Sequence, residues 1–224
     1  MKMQQKTVLI TGSSKGLGTE LARVFASAGW NILLHGRDES DLQAVKKELL
    51  ALSIESDIVQ GDIREVTTLN ALEAAARKHS IDVLINNAGI GLKLPLEKLR
   101  DEQIHEMLET NLVATIKLTH RIYRFFVERK AGTIININSM SGKEPHYLRT
   151  IYCASKWGLR GFAESLKREA KEHNIHILDV YPTRIKTSPA YLEGMETKDV
   201  AQKIYAAFAD KSLSELIIDE RLKK

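Results

Sequence analysis

The sequence predicts an α/β fold: a doubly wound, mostly parallel seven-stranded sheet with helices on both faces, in a single domain spanning residues 1–224. Three observations carry this expectation. Strand-like and helix-like segments alternate from end to end. The strand-like segments are short, rich in Ile, Val and Leu, and several are apolar on both alternating faces. A glycine-rich stretch, "TGSSKGLG" at residues 11–18, marks the first strand-to-helix junction. Strands apolar on both sides are covered on both sides, as in a parallel sheet. Right-handed crossovers then place the connecting helices over the two faces. An eight-stranded barrel also alternates, but seven strand candidates fall short of it.

In order, 7–11 reads as the first strand and 17–28 as the helix it feeds. Strands follow at 31–35, 56–60 and 83–86, separated by helical periodicity over 39–52 and 66–78. A long helical pattern over 102–129 leads into a strand at 133–138. The helix at 151–172, the strand at 176–181, the helix at 198–209 and the strand at 216–219 complete the alternation. No repeat, low-complexity tract or linker interrupts it, which is why one domain is expected.

Bulk composition narrows the function classes. The 224 residues carry a formal charge of +4 with 43% hydrophobic and 28% charged residues, ordinary for a soluble globular protein. No dense Lys/Arg block forms a nucleic-acid footprint, so no nucleic-acid partner is expected. A lone Cys153 rules out an intramolecular disulfide or a thiolate cluster, and the seven histidines show no metal-ligand spacing, so no metal is expected. The chain runs almost at once into its first strand and has no apolar run of membrane length. A cytoplasmic location without membrane contact is the expectation.

Gly12, Gly16 and Gly18 fall where the first strand hands over to the first helix. Glycines there permit a tight turn and let a phosphate approach the backbone, while the exposed amides and helix dipole favour an anion. The spacing is G-x-x-x-G-x-G, neither the usual dinucleotide fingerprint nor a Walker motif. Glycine turns also serve packing, and this stretch alone does not decide.

The same order of motifs continues along the chain: "GDI" (61–63), "NNAG" (86–89), "ETN" (109–111), "SMSG" (139–142) and "YCASK" (152–156). With these six in register, the chain resembles the classical short-chain dehydrogenase/reductase family, densely over residues 6 to about 187. The resemblance implies a Rossmann-type fold, a nicotinamide cofactor and a carbonyl or secondary-alcohol substrate. It places Gly12, Ser14, Gly16, Leu17 and Gly18 in the cofactor's glycine-rich cradle with Lys15 able to flank a 2′-phosphate, Asp62 and Ile63 at the adenine, and Asn87, Ala88 and Gly89 beside the adenosine ribose and phosphates.

The cofactor choice rests on the end of the second strand, "LLHGRDES". Gly36 stands where an acid would bind a ribose hydroxyl, and Arg37 follows it; arginine suits a 2′-phosphate. With Lys15 nearby, NADP(H) is expected over NAD(H), although Asp38 could serve the ribose instead.

Tyr152 and Lys156 lie four apart in a helical stretch and share a face. A lysine ammonium there favours the phenolate and brings the tyrosine toward proton exchange at neutral pH. The pair alone is common; it gains meaning 13 residues after Ser139. By resemblance, Ser139 steadies the substrate oxygen, Tyr152 is the general acid/base, and Lys156 also holds the nicotinamide ribose. Asn111 anchors a water leading to solvent. Ile185 and Thr187 are expected at the carboxamide, Thr183 standing where the family usually has glycine. Ser141, His146, Tyr147 and Tyr191 are candidate substrate contacts.

Arg129, Lys130, Lys167 and Arg168 could receive an acidic carrier protein if the substrate were a 3-oxoacyl carrier thioester. Apolar residues Ile122, Phe125, Phe126, Leu159, Phe162 and Leu166 look like more than one core face needs, which suggests a homodimer or homotetramer. The alternative to an enzyme is a non-catalytic NADP(H)-binding redox sensor.

Overall fold

The computed structural model describes residues 5–186 and 193–223. Its strands are β1 (Thr7–Ile10), β2 (Asn31–Gly36), β3 (Ser56–Gln60), β4 (Val83–Asn86), β5 (Gly132–Ile137), β6 (Ile175–Pro182) and β7 (Glu215–Ile218). Among the described residues they form one seven-stranded sheet in the order β3-β2-β1-β4-β5-β6-β7, with every neighbouring pair parallel. The helices are α1 (Gly16–Ser27), α2 (Glu39–Leu49), α3 (Val66–Lys78), α4 (Asp101–Leu108), α5 (Ala114–Arg129), α6 (Thr150–Ala170) and α7 (Thr197–Ala209).

Alternation along each strand divides the core. In β1, Val8 and Ile10 face the layer of α1, α2 and α7, where they meet Leu21, Phe25 and Leu42. Leu9, between them, faces the layer of α3, α5 and α6, with Leu72, Leu118 and Ile122. Chain order reverses between β1 and β4, which leaves a crevice beyond the carboxyl ends of these two strands.

Two helical expectations change in detail. The pattern at 102–129 is not one helix: a π-helical turn, Glu109–Val113, separates α4 from α5. Such a turn inserts a residue without disturbing the apolar stripe on either side, and such turns recur at functional sites. The helix expected over 39–52 stops at Leu49, tightens into a 3₁₀ turn over Leu50–Leu52, and ends on left-handed Ser53 (φ 56°).

The apolar residues that suggested self-association are used inside the chain. Ile122, Phe125, Phe126, Leu159 and Leu166 are all buried, and Phe162 packs against the same core. They cover the sheet rather than leaving a free face.

The parallel register carries a polar cross-tie. Asn86, Asn136 and Asp179 stand opposite one another on β4, β5 and β6. Asn86 Nδ2 donates to Asn136 Oδ1 at 2.9 Å and to Thr119 Oγ1 at 2.9 Å, and Asn136 Nδ2 donates to Asp179 Oδ1 at 2.8 Å. Lys167 of α6 closes the row with its Nζ 2.7 Å from Asp179 Oδ2. Burial pushes the Asp179 carboxyl up against the pull of Lys167. Burial lowers Lys167 less than Asp179 and Glu164 raise it.

Removing one member strands a buried charge. Lys167→Met is expected to lower the unfolding free energy by roughly 3 kcal/mol, read by urea denaturation at pH 7. The double variant Lys167→Met/Asp179→Asn recovers most of that loss, because no unpaired charge remains.

Candidate active site

The turn after β1 is held by contacts across the crevice. Thr11 Oγ1 donates to Ile85 O at 3.2 Å and accepts from the amides of Asn87 and Ala88 at 2.9 and 3.0 Å. The Asn87 side-chain amide donates to Thr11 O and Gly12 O, both at 2.9 Å. Gly12 is left-handed (φ 64°), and a Cβ on it would lie 2.9 Å from Ala88 Cα. A Cβ on Gly18 would overlap Gly12 O. The Gly12 position therefore requires glycine for close approach and backbone conformation together, and the Gly18 position for close approach alone.

Helix α1 starts at Gly16 behind an extended Lys15 (φ −146°) whose side chain caps nothing. Its first amides, on Gly16, Leu17 and Gly18, are left to an outside acceptor at the positive end of the helix. The Leu17 side chain is buried in the core. Ser14 packs against Gly36, where a Cβ would sit 3.1 Å from Ser14 Oγ.

At the end of β2 the charges sort themselves. Asp38 caps α2, accepting from the Asp41 amide at 3.1 Å and from Ser40 Oγ at 2.7 Å. Lys15 is paired with Asp41 at 2.6 Å, a hydrogen bond that raises its pKa. Arg37 is exposed and makes no ion pair among the described residues, although its charge helps to lower the Asp62 carboxyl. Asp62 is gripped by Arg64 through Nε at 3.0 Å and the guanidinium tip at 2.6 Å, which holds its carboxyl below the usual range. Ile63 beside it is buried.

One group here escaped the sequence reading. His35 is buried behind the glycine turn and accepts a long hydrogen bond from the Gly12 amide at 3.4 Å. Burial lowers its pKa to about 4, so it stays neutral there. A lone histidine inside an apolar strand gives no sign of this.

The second cluster lies past β5. The Lys156 amine is buried and donates to Ile137 O at 2.9 Å, and burial pushes its pKa down to about 8. The amine lies 5.8 Å from the centroid of the Tyr152 ring, one turn back on α6. Ser139 sits at the end of β5; its hydroxyl accepts from the Ser141 amide at 3.1 Å. Asn138, which the sequence reading passed over, fixes both neighbours: its Oδ1 accepts from the Ser139 amide at 2.9 Å and its Nδ2 donates to Lys156 O at 3.3 Å.

Asn111 lies in the π turn and works as a clamp. Its side chain accepts from the Ile90 amide and donates to Ile90 O, each at 2.8 Å, and reaches Ser155 Oγ at 3.3 Å. It thus ties the loop after β4 to the residue next to Lys156. Gly89 lies under it, and Gly91 lies against the Tyr152 ring.

The remaining candidates divide. Ser141 is buried with its hydroxyl 3.2 Å from His146 Nδ1, which also faces Glu144 O at 3.1 Å. Tyr147 is 85% exposed and stands in solvent. Ile185 bridges to Met195 in a short parallel contact. Thr187 and Tyr191 lie outside the described residues. Arg129 is engaged by Ser80 O, Ile81 O and Asp82, and Lys167 by Asp179 and Glu164, so neither is free for an acidic carrier.

A crevice at the strand-order reversal, an anion-receptive turn and a Ser–Tyr–Lys group on one rim define the class of protein. The short chain dehydrogenase family matches residues 6–193, and the chain belongs to that family. Across 188 residues it is 34% identical to a Drosophila melanogaster dehydrogenase/reductase SDR family protein 7-like, covering 81% of this chain and 58% of that one. It is 31% identical to ketoacyl reductase HetN of Nostoc, covering 96% of this chain and 79% of the relative. In structure it is similar to a short-chain dehydrogenase from Sphingobium yanoikuyae in complex with NADPH. The TM-score is 0.88 at 27% identity, with 98% of this chain and 89% of that chain covered. Among the described residues, no helix is long and apolar enough to cross a membrane.

The buried amine makes a stability prediction. Its folded pKa of about 8 lies below the ordinary 10.5. Below about pH 8 both states are protonated and the burial penalty is present in full. Between the two values the unfolded chain holds the proton that the folded chain has released, so stability rises with pH. Lys156→Met is therefore expected to be more stable than the parent at pH 7, by roughly 2 kcal/mol. Denaturant midpoints should show that gap closing as pH rises from 8 toward 10.

Proposed function

We propose that this chain is an NADP(H)-dependent oxidoreductase that interconverts a carbonyl and a secondary alcohol, with Tyr152 as general acid/base. One observation carries the reading: the anion-receptive turn after β1 and the Ser139, Tyr152, Lys156 group after β5 open on the same carboxyl edge of the sheet. The turn fits a dinucleotide because Gly12 and Gly18 leave no Cβ in the cradle and the first α1 amides lack a side-chain cap. Gly16, Leu17 and Gly18 would hold the pyrophosphate, Asp62 and Ile63 the adenine, and Asn87 to Gly89 the ribose. Arg37 would take the 2′-phosphate, since Asp38 is occupied at its helix cap and Lys15 at Asp41. The NADPH complex of the Sphingobium relative supports that choice.

The hydride is chemistry that a bound nicotinamide supplies. The chain handles the proton and the charge. In reduction, the Tyr152 hydroxyl gives its proton to the carbonyl oxygen; in oxidation the phenolate takes it back. Ser139 donates a hydrogen bond to the same oxygen and stabilises the developing alkoxide. Lys156, positive below about pH 8, favours the phenolate from one helical turn away. Asn111 ties the loop after β4 to Ser155 of α6 and so holds Gly91 of that loop beside the Tyr152 ring. The ketoacyl reductase among the relatives supports 3-oxoacyl compounds as one acceptor class to try.

The test is NADPH oxidation, with NADH in parallel, over ketones, 3-oxoacyl thioesters, quinones and sugars. Tyr152→Phe is expected to lower kcat about 10²-fold or more. Arg37→Leu is expected to raise KM for NADPH about tenfold and leave KM for NADH nearly unchanged. Binding of NADPH without turnover on any acceptor would move the assignment to a redox sensor.

A further inference from the structure

The mouth of the candidate site holds a charge that the proposed chemistry does not use. Arg149 is the N-cap of α6, three residues before Tyr152, and its side chain caps nothing. A cation at the positive end of a helix is electrostatically unfavourable, so this placement is not explained by helix stability. No carboxylate among the described residues pairs with it. Its guanidinium carbon instead lies 5.7 Å from the centroid of the Tyr152 ring.

The surrounding charges behave differently. Lys143 is paired with Glu215 at 2.8 Å, and Arg221 with Glu144 at 2.7 Å. The backbone also holds Arg149 in place. Leu148 is left-handed (φ 61°), a strained state for a branched residue, and its carbonyl accepts from the Leu94 amide at 3.0 Å. That bond joins the loop after β4 to the approach to α6 and brings exposed Lys93 to the same rim. Lys93, too, lacks a carboxylate partner among the described residues.

We propose that the acceptor carries an anionic group, a carboxylate or a phosphate close to its carbonyl, and that Arg149 receives it. The inference rests on the reductase reading and names its substrate class. The carbonyl oxygen lies one hydrogen bond from the Tyr152 hydroxyl, while the guanidinium lies beside the same ring. A short oxo acid or oxo phosphate spans the two. A guanidinium grips either anion with two parallel bonds, and Lys93 adds attraction at the entrance.

The experiment pairs each anion with its neutral partner: acetoacetate against methyl acetoacetate, and dihydroxyacetone phosphate against dihydroxyacetone. kcat/KM for all four is measured with the parent, Arg149→Met and Arg149→Lys. Titration calorimetry of each on the NADP-loaded protein gives the corresponding Kd ratios. The parent is expected to favour at least one anion over its neutral partner by about tenfold or more. Arg149→Met should collapse that ratio toward one in both kcat/KM and Kd, and Arg149→Lys should restore part of it. The favoured pair tells carboxylate from phosphate. Equal losses for the charged and neutral members would overturn the proposal and make Arg149 a support for the tyrosine ring. Turnover of neutral ketones with no anion preference in the parent would overturn it while leaving the reductase reading intact. No turnover of any acceptor, charged or neutral, would remove the reductase reading and this inference together.

Discussion

Register between β4, β5 and β6 is the constraint on which the candidate site depends. Ser139, Asn87 and the start of the β4 loop all lie within a residue or two of a strand's carboxyl end, so a slip of one residue would scatter them. Strands apolar on both faces specify register poorly, since Ile, Val and Leu fill neighbouring positions almost equally well. The Asn86, Asn136, Asp179 row is specific where the apolar residues are not: each member finds its partner in one register only. Lys167 then anchors the row to α6, the helix that carries Tyr152 and Lys156. Sheet alignment and the placement of α6 are therefore one interaction network.

The same economy governs the glycine turn. Asn87 and Thr11 stitch β1 to β4 across the reversal in strand order, and the stitching leaves no room for a Cβ at Gly12 or Gly18. Tightness serves two ends: it closes the sheet at its weakest seam and leaves the first amides of α1 bare. Lys156 shows the opposite exchange. Its burial works against stability at neutral pH, with a single backbone carbonyl as hydrogen-bond partner among the described residues. Such a cost is what the proposed catalytic role for Lys156 accounts for.

Much of this was legible because it is local or periodic. Two-sided apolar runs mark parallel strands, bare glycines mark the first turn, and a four-residue spacing puts Tyr152 and Lys156 on one helix face. Long-range commitments were not legible. Nothing in the sequence says that Arg129 is engaged by residues 80–82, or that Lys167 serves Asp179, because those partners are brought together only by the fold. Counting apolar residues on two helices likewise cannot tell an interface from a second core, and Ile122, Phe126 and Leu159 went to the core. The π turn around Asn111 escaped because one inserted residue leaves the flanking periodicity intact. Loop positions such as Tyr147 have no periodicity to give their direction.

Many of the cations in this chain already have a partner within the fold. Arg23, Arg77, Arg121 and Lys143 are all matched to carboxylates within the fold and act as solvated fastenings. Arg37 and Arg149 make no ion pair among the described residues, and both stand toward the carboxyl edge of the sheet: one at the close of β2, the other at the head of α6. Arg124, Arg160 and Arg168 likewise make no ion pair among the described residues, so what sets Arg37 and Arg149 apart is their place beside the glycine turn and the Tyr152 ring. On the proposed reading, recognition is divided between a guanidinium that meets the cofactor's phosphate and a second that meets the acceptor's anion. The Tyr152 ring centroid lies 5.7 Å from the latter's guanidinium carbon.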